Sequence, residues 1–185
     1  MIKVKKLVLL ICTIFFISAC GENETLEEAI ENDIPFDVLE TIHIEEVDGV
    51  YVVMYSTIPE GDQPQIGNME GLGIAYFTET DVDGWKNVGP DSWTRMDHDQ
   101  FTVYNDFHRE FTDEGEFVTE IRVVHGKVNN PEIEQIKMAN RETPNDLSEA
   151  TMIHINGDTY YFMIGDYHIY QGYSEDGELV FEQGG

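Results

Sequence analysis

The sequence predicts a mainly β fold, β-sandwich-like or β-rich α+β, with antiparallel sheets and one short N-terminal helix. Three observations carry this. From Phe36 onward apolar residues recur with a period of two. Turn dipeptides of the Asp-Gly and Asn-Gly kind divide that stretch into many short runs. A helical period occurs once past the extreme N-terminus, at Leu26, Ala29 and Ile30.

The chain of 185 residues opens with Lys3, Lys5 and Lys6, followed by an apolar run from Leu7 to Ile17 and the small residues Ser18 and Ala19. That order is the grammar of a secretory signal peptide. The run is too short to cross about 30 Å of hydrocarbon as an ordinary span of about 20 residues. Ile17-Ser18-Ala19-Cys20 resembles a bacterial lipobox. The resemblance implies that residues 1–19 are removed, that Cys20 carries a diacylglyceryl lipid, and that residues 20–24 form a lipidated tether. It also implies a protein held on the extracytoplasmic face of the cell membrane. An uncleaved N-terminal anchor helix is the alternative, and it gives the same compartment. Cys12 would leave with the signal peptide, so the mature chain would hold no thiol for a disulfide, a zinc site or a nucleophile.

Removing 19 residues from 185 leaves 166, one domain of ordinary size over residues 25–185 or two small ones divided near residue 115. The whole chain has 37 acidic and 10 basic residues, a net charge of −27. Without the three lysines at the start the balance is 7 to 37, a net of −30. Such a chain repels nucleic acid and anionic surfaces, so nucleic-acid partners are not expected. It favours cations and basic partners, although acids spread along the chain equally serve solubility in a salty exterior.

The elements follow in order. Thr25-Leu26-Glu27-Glu28 reads as a capping box that starts a helix over Leu26–Asn32, which Pro35 ends. Val38, Ile42 and Ile44 mark a first strand, Asp48-Gly49 a hairpin, and Val50–Ser56 the return. Thr57–Gly71 is a long loop. Strands are expected at Leu72–Thr78, Trp85–Val88, Phe101–Asn105, Phe107–Thr112, Glu116–His125 and Ile133–Met138. Four more, at Ala150–Ile155, Thr159–Ile164, Tyr167–Tyr173 and Glu178–Phe181, are joined by Asn156-Gly157, Gly165-Asp166 and Asp176-Gly177. The segment Gly126–Met138 with the Asn-Gly turn near 156 resembles the C-terminal half of uncharacterised lipoproteins of Bacillus-type bacteria, a likeness that implies no particular activity.

Candidate sites are few. Glu79, Asp81 and Asp83, before Gly84, match the first, third, fifth and sixth places of a calcium loop. The twelfth place is Pro90, which has no ligating side chain, so an EF-hand fails and a looser calcium site or a plain turn remains. The six histidines show no i,i+4 pair. Two-residue turns would set His154 opposite Thr159 and His168 opposite Met163, four rows or about 13 Å apart, too far to share a metal. Asp97-His98-Asp99 is the densest local ligand cluster. In the same register Ile153, Ile155, Tyr160, Phe162, Ile164 and Ile169 share one face, and Met152, Tyr161, Met163 and Tyr170 the other. The second face is either another core or a platform for a ligand at Tyr161 and Tyr170. Trp85 and Trp93, flanking Gly89-Pro90, could stack on a sugar, grip a partner or anchor a loop.

No G-x-S-x-G elbow surrounds Ser56, Ser92, Ser148 or Ser174, and there is no phosphate-binding or dinucleotide motif. The expected function is therefore a non-catalytic binding or interaction module at the cell envelope, with an envelope protein or glycan as partner and no cofactor unless calcium. The alternatives are a calcium-binding acidic surface protein and an envelope enzyme whose site no motif marks.

Overall fold

The computed structural model describes residues 23–58, 70–81, 84–112 and 114–184. The expected signal peptide and the expected lipidation site Cys20 lie outside the described residues, as does most of the loop expected after Thr57.

The described residues form one helix, α1 (Leu26–Asp33), and thirteen strands. They are β1 (Val38–Val47), β2 (Val50–Thr57), β3 (Gly71–Thr80), β4 (Gly84–Asn87), β5 (Ser92–Arg95), β6 (Tyr104–Phe111), β7 (Phe117–Val128), β8 (Gln135–Ala139), β9 (Ser148–Glu149), β10 (Thr151–Ile155), β11 (Asp158–Ile164), β12 (Ile169–Tyr173) and β13 (Leu179–Gly184). All pairings are antiparallel.

The Thr25 half of the capping box forms, and Glu28 reaches back one residue beyond the N-cap. The Thr25 hydroxyl accepts from the Glu28 N–H at 3.2 Å, and the Glu28 carboxylate accepts from the Glu24 N–H at 2.9 Å. The first hairpin turns at Asp48 and Gly49, both with positive φ (53° and 82°), the backbone that a tight two-residue turn requires.

Three sheets result. The first has the order β1-β2-β3-β4, with β5 pairing to β3 beside β4. The middle sheet is β10-β11-β7-β6 and the third β13-β12-β8-β9. Three clusters of buried side chains show how they stack. Ala29, Ile30 and Ile34 pack with Val53, Tyr55, Ala75 and Phe77, so α1 covers the outer face of the first sheet. Val52, Met54, Ile74 and Tyr76 on its inner face meet Ile121, Val123, Tyr160 and Phe162 of the middle sheet. Val124 and Tyr161, on the opposite face of the middle sheet, meet Ile136, Met138 and Tyr170 of the third. The order is helix, sheet, sheet, sheet.

Two expectations are corrected. Phe101–Asn105 and Phe107–Thr112 are not two strands: β6 spans Tyr104–Phe111, and Phe101 makes an isolated bridge to Val128. The turn at Gly165-Asp166 does not fold β12 back onto β11. Thr159 does sit opposite His154, but β11 pairs with β10 and β7, which occupy both its edges. β12 therefore enters the third sheet, between β8 and β13, and Ile169 and Tyr170 do not share the sheet of Tyr160 and Tyr161. The residues on either side of 115 pair with each other as the β6–β7 hairpin.

Candidate functional site

Strand β6 sets the site, because it is the outer strand of the middle sheet and its alternation is inverted. Tyr104, Asp106, His108 and Glu110 point inward, while Asn105, Phe107, Arg109 and Phe111 point outward.

The inward row closes the gap between the first and middle sheets with polar contacts. The Tyr104 hydroxyl donates to the Arg95 carbonyl of β5. Ser92 donates to one Asp106 oxygen at 2.9 Å, and His125 Nε2 lies 2.8 Å from the other. The His108 ring stacks on Tyr76 with centroids 5.1 Å apart. Burial alone would raise the Asp106 pKa; the hydrogen bond and charge of His125 and the Ser92 hydroxyl outweigh it and hold the carboxyl below its ordinary range.

Serine, histidine and aspartate meet here, but not as a nucleophilic relay, which needs the hydroxyl hydrogen-bonded to the imidazole. The hydroxyl is on the carboxylate, and His125 is 0% exposed. The arrangement joins two sheets.

The outward row is different. Phe107 is 47% exposed and Phe111 57%, and beside them on the hairpin Phe117 is 60% and Val118 54% exposed. The Phe111 and Phe117 rings meet edge to face at 6.1 Å. The Arg109 guanidinium lies over the Phe107 ring at 4.7 Å. Arg109 and Arg122 both bind the Glu120 carboxylate, and those hydrogen bonds hold its pKa below the ordinary value. Arg122 also reaches Asp166 at 3.3 Å. At the start of β6 the third sheet meets this face, where the Tyr170 hydroxyl reaches Asn105 at 3.2 Å. Beyond Asn105 three phenylalanines and a valine stand uncovered, an apolar cluster of the kind that marks contact surfaces.

A polar cleft of about 430 Å³ lies at the other end of the middle sheet, lined in part by Lys127, Asn129, Asn130, His154 and Asp158. Its groups are engaged with the protein itself. Lys127 pairs with Asp158 at 2.9 Å, His154 Nδ1 meets the Thr159 hydroxyl at 3.0 Å, and Asn129 binds the carbonyls of Met96 and His98.

The residues singled out in the sequence fall as follows. Tyr161 is fully buried with its hydroxyl on the Thr102 carbonyl, and burial pushes its pKa far up. Tyr170 is buried in the same core and donates to the Tyr167 carbonyl at 2.5 Å. Of the two readings of this face, core and platform, the structure shows the core, so Tyr161 and Tyr170 offer no platform: the third sheet covers them. Trp85 packs edge-on against Tyr51 at 4.8 Å and joins the core under α1. Trp93 is half-buried on β5 opposite Gly73. The two tryptophans lie on different strands along the same edge of β3. Glu79 sits opposite Trp85 and Asp81 is exposed after β3, while Asp83 lies outside the described residues. Among the described residues no group of three His, Cys, Asp or Glu side chains is placed to hold a metal ion. His98 accepts from the Gln100 N–H, and its ring meets Phe181. Among the described residues no helix is long and apolar enough to cross a membrane.

The fold thus defines a helix-capped stack of three antiparallel sheets with an exposed aromatic hairpin. The chain matches no known protein family, no curated protein and no solved structure.

Proposed function

We infer that the protein is a lipid-anchored, extracytoplasmic binding module without catalytic activity, attached to the cell membrane through a diacylglyceryl group on Cys20. The observation that carries the binding role is the uncovered cluster of Phe107, Phe111, Phe117 and Val118. A chain of net charge −27 has abundant polar surface with which to cover a hairpin, yet this one presents three aromatic rings. The Asp106 carboxylate, on which serine and histidine converge, is turned inward and held by both Ser92 and His125. The anchor is supported by Lys3, Lys5 and Lys6, the apolar run and Ile17-Ser18-Ala19-Cys20. Two acyl chains suffice for stable attachment.

Replacement Cys20→Ser tests the anchor. The variant is expected to leave the membrane fraction or to remain unprocessed, and to take up no radiolabelled fatty acid. Labelling equal to that of the unaltered protein would refute lipidation at Cys20.

A further inference from the structure

We propose that the aromatic end of the β6–β7 hairpin rests on the lipid bilayer that holds the anchor, so that the domain has one fixed orientation on the membrane. The proposal rests on the lipid-anchored reading and goes further, to the surface that the hairpin meets.

The reasoning is positional. β3 and β6 lie alongside each other, and three contacts set their direction. Arg95, opposite Gly71, takes the Tyr104 hydroxyl. Ser92, opposite Ile74, binds Asp106. Tyr76 stacks on His108. The levels 71, 74 and 76 thus match 104, 106 and 108, and the two strands run the same way. Three residues beyond Tyr76 is Glu79, whose partner Trp85 bridges to Asn23. Three residues beyond His108 is Phe111, which pairs with Phe117. At about 3.3 Å per residue both positions lie roughly 10 Å past the last shared level. Asn23 and the exposed rings therefore sit at the same end of the molecule.

Covalent reach does the rest. Three Cα-to-Cα steps lead from Cys20 to Asn23 and span at most about 11 Å. Asn23 is firmly held: its side chain binds Asp33 and Asn32 at 3.1 and 2.9 Å, and its carbonyl accepts from the Trp85 N–H at 2.9 Å. A lipid on Cys20 thus keeps this end of the domain at the headgroups. Phe107, Phe111, Phe117 and Val118 are the apolar groups that the hairpin presents at this end. Glu110, Glu114 and Glu116 flank the rings, which limits them to headgroup depth. A second copy is the other candidate occupant, and the test separates the two.

The lipidated mature chain would have no free thiol, so a single added cysteine can be labelled cleanly. Full-length protein purified from membranes, carrying Phe117→Cys or Val118→Cys with an environment-sensitive fluorophore, is reconstituted in phosphatidylcholine vesicles. Asp176→Cys, at the turn between β12 and β13 beside Pro131 and Glu134, labels the opposite end. The expected result is a blue shift at 117 and 118, with most of the emission lost to nitroxide-labelled lipid, and neither effect at 176. Protein that floats with the vesicles and carries lipid, but shows no quenching at 117 or 118, overturns the proposal and leaves the anchor intact. A probe that shifts without quenching, and only at high surface density, gives the patch to a second copy and also overturns it. Protein that carries no lipid and does not float overturns both readings.

Discussion

Asp106 is the residue on which the junction of two sheets turns. Its folded pKa is depressed, so the stability it contributes is complete above the ordinary carboxylate value of about 3.9 and is lost as pH falls through the lower folded value. Asp106→Asn removes the charge that faces the enclosed His125, and is expected to cost about 1–3 kcal/mol near neutrality. Urea unfolding of both proteins from pH 6 downward checks this: the difference should hold to about pH 4 and then close. A constant difference down to pH 2 would mean that the charge is not what matters. None of this was legible at the level of single residues. Asp106 and His125 are 19 positions apart and carry no motif; the available signal was the run of polar residues at every second place, Tyr104, Asp106, His108 and Glu110. Hydrophobic alternation, applied as a rule, would turn Phe107 and Phe111 inward. The polar row goes inward instead because Ser92, His125 and Arg95 wait there with partners.

Among the elements, α1 was legible almost to the residue, because caps are local chemistry. Thr25→Ala should remove the hydroxyl that accepts from Glu28 and lower stability by about 1 kcal/mol, read from urea midpoints at unchanged slope. A midpoint equal to that of the parent would show that the packing of Ala29 and Ile30 alone holds the helix. The Asp48-Gly49 and Asn156-Gly157 hairpins were legible for the same reason: positive φ at both central positions is written in the dipeptide. What is not local was lost. Gly165-Asp166 looks like another tight turn, yet β11 already has β10 and β7 on its two edges. A period of two says which side chains share a face, not which strand lies beside them. For that reason alternation gives Tyr160 and Tyr161 their opposite facing but does not reveal that Tyr170 lies in another sheet.

For the whole molecule, the charge of −27 opposes compaction, and salt relieves it. Thermal melts of residues 21–185 in EDTA, in millimolar calcium and in sodium chloride of equal ionic strength should show the same rise in both salts. A rise confined to calcium would instead show a bound cation, since a ligand bound only by the folded state must stabilise it, and would make Glu79, Asp81 and Asp83 the first residues to replace. The stacking order has a further consequence, for the route by which the chain folds. The middle sheet is not complete until β11 lies between β10 and β7, and β11 begins at Asp158. Between β7 and β11 in the chain come β8 and β9, which belong to another layer. An emerging chain can close the β1–β2 and β6–β7 hairpins early, but it leaves the inner edge of β7 unpaired until Asp158 and the residues after it arrive. Contacts this distant in sequence make folding slow, in the range of milliseconds to seconds, and the open edge is the point at which incomplete chains would adhere to one another.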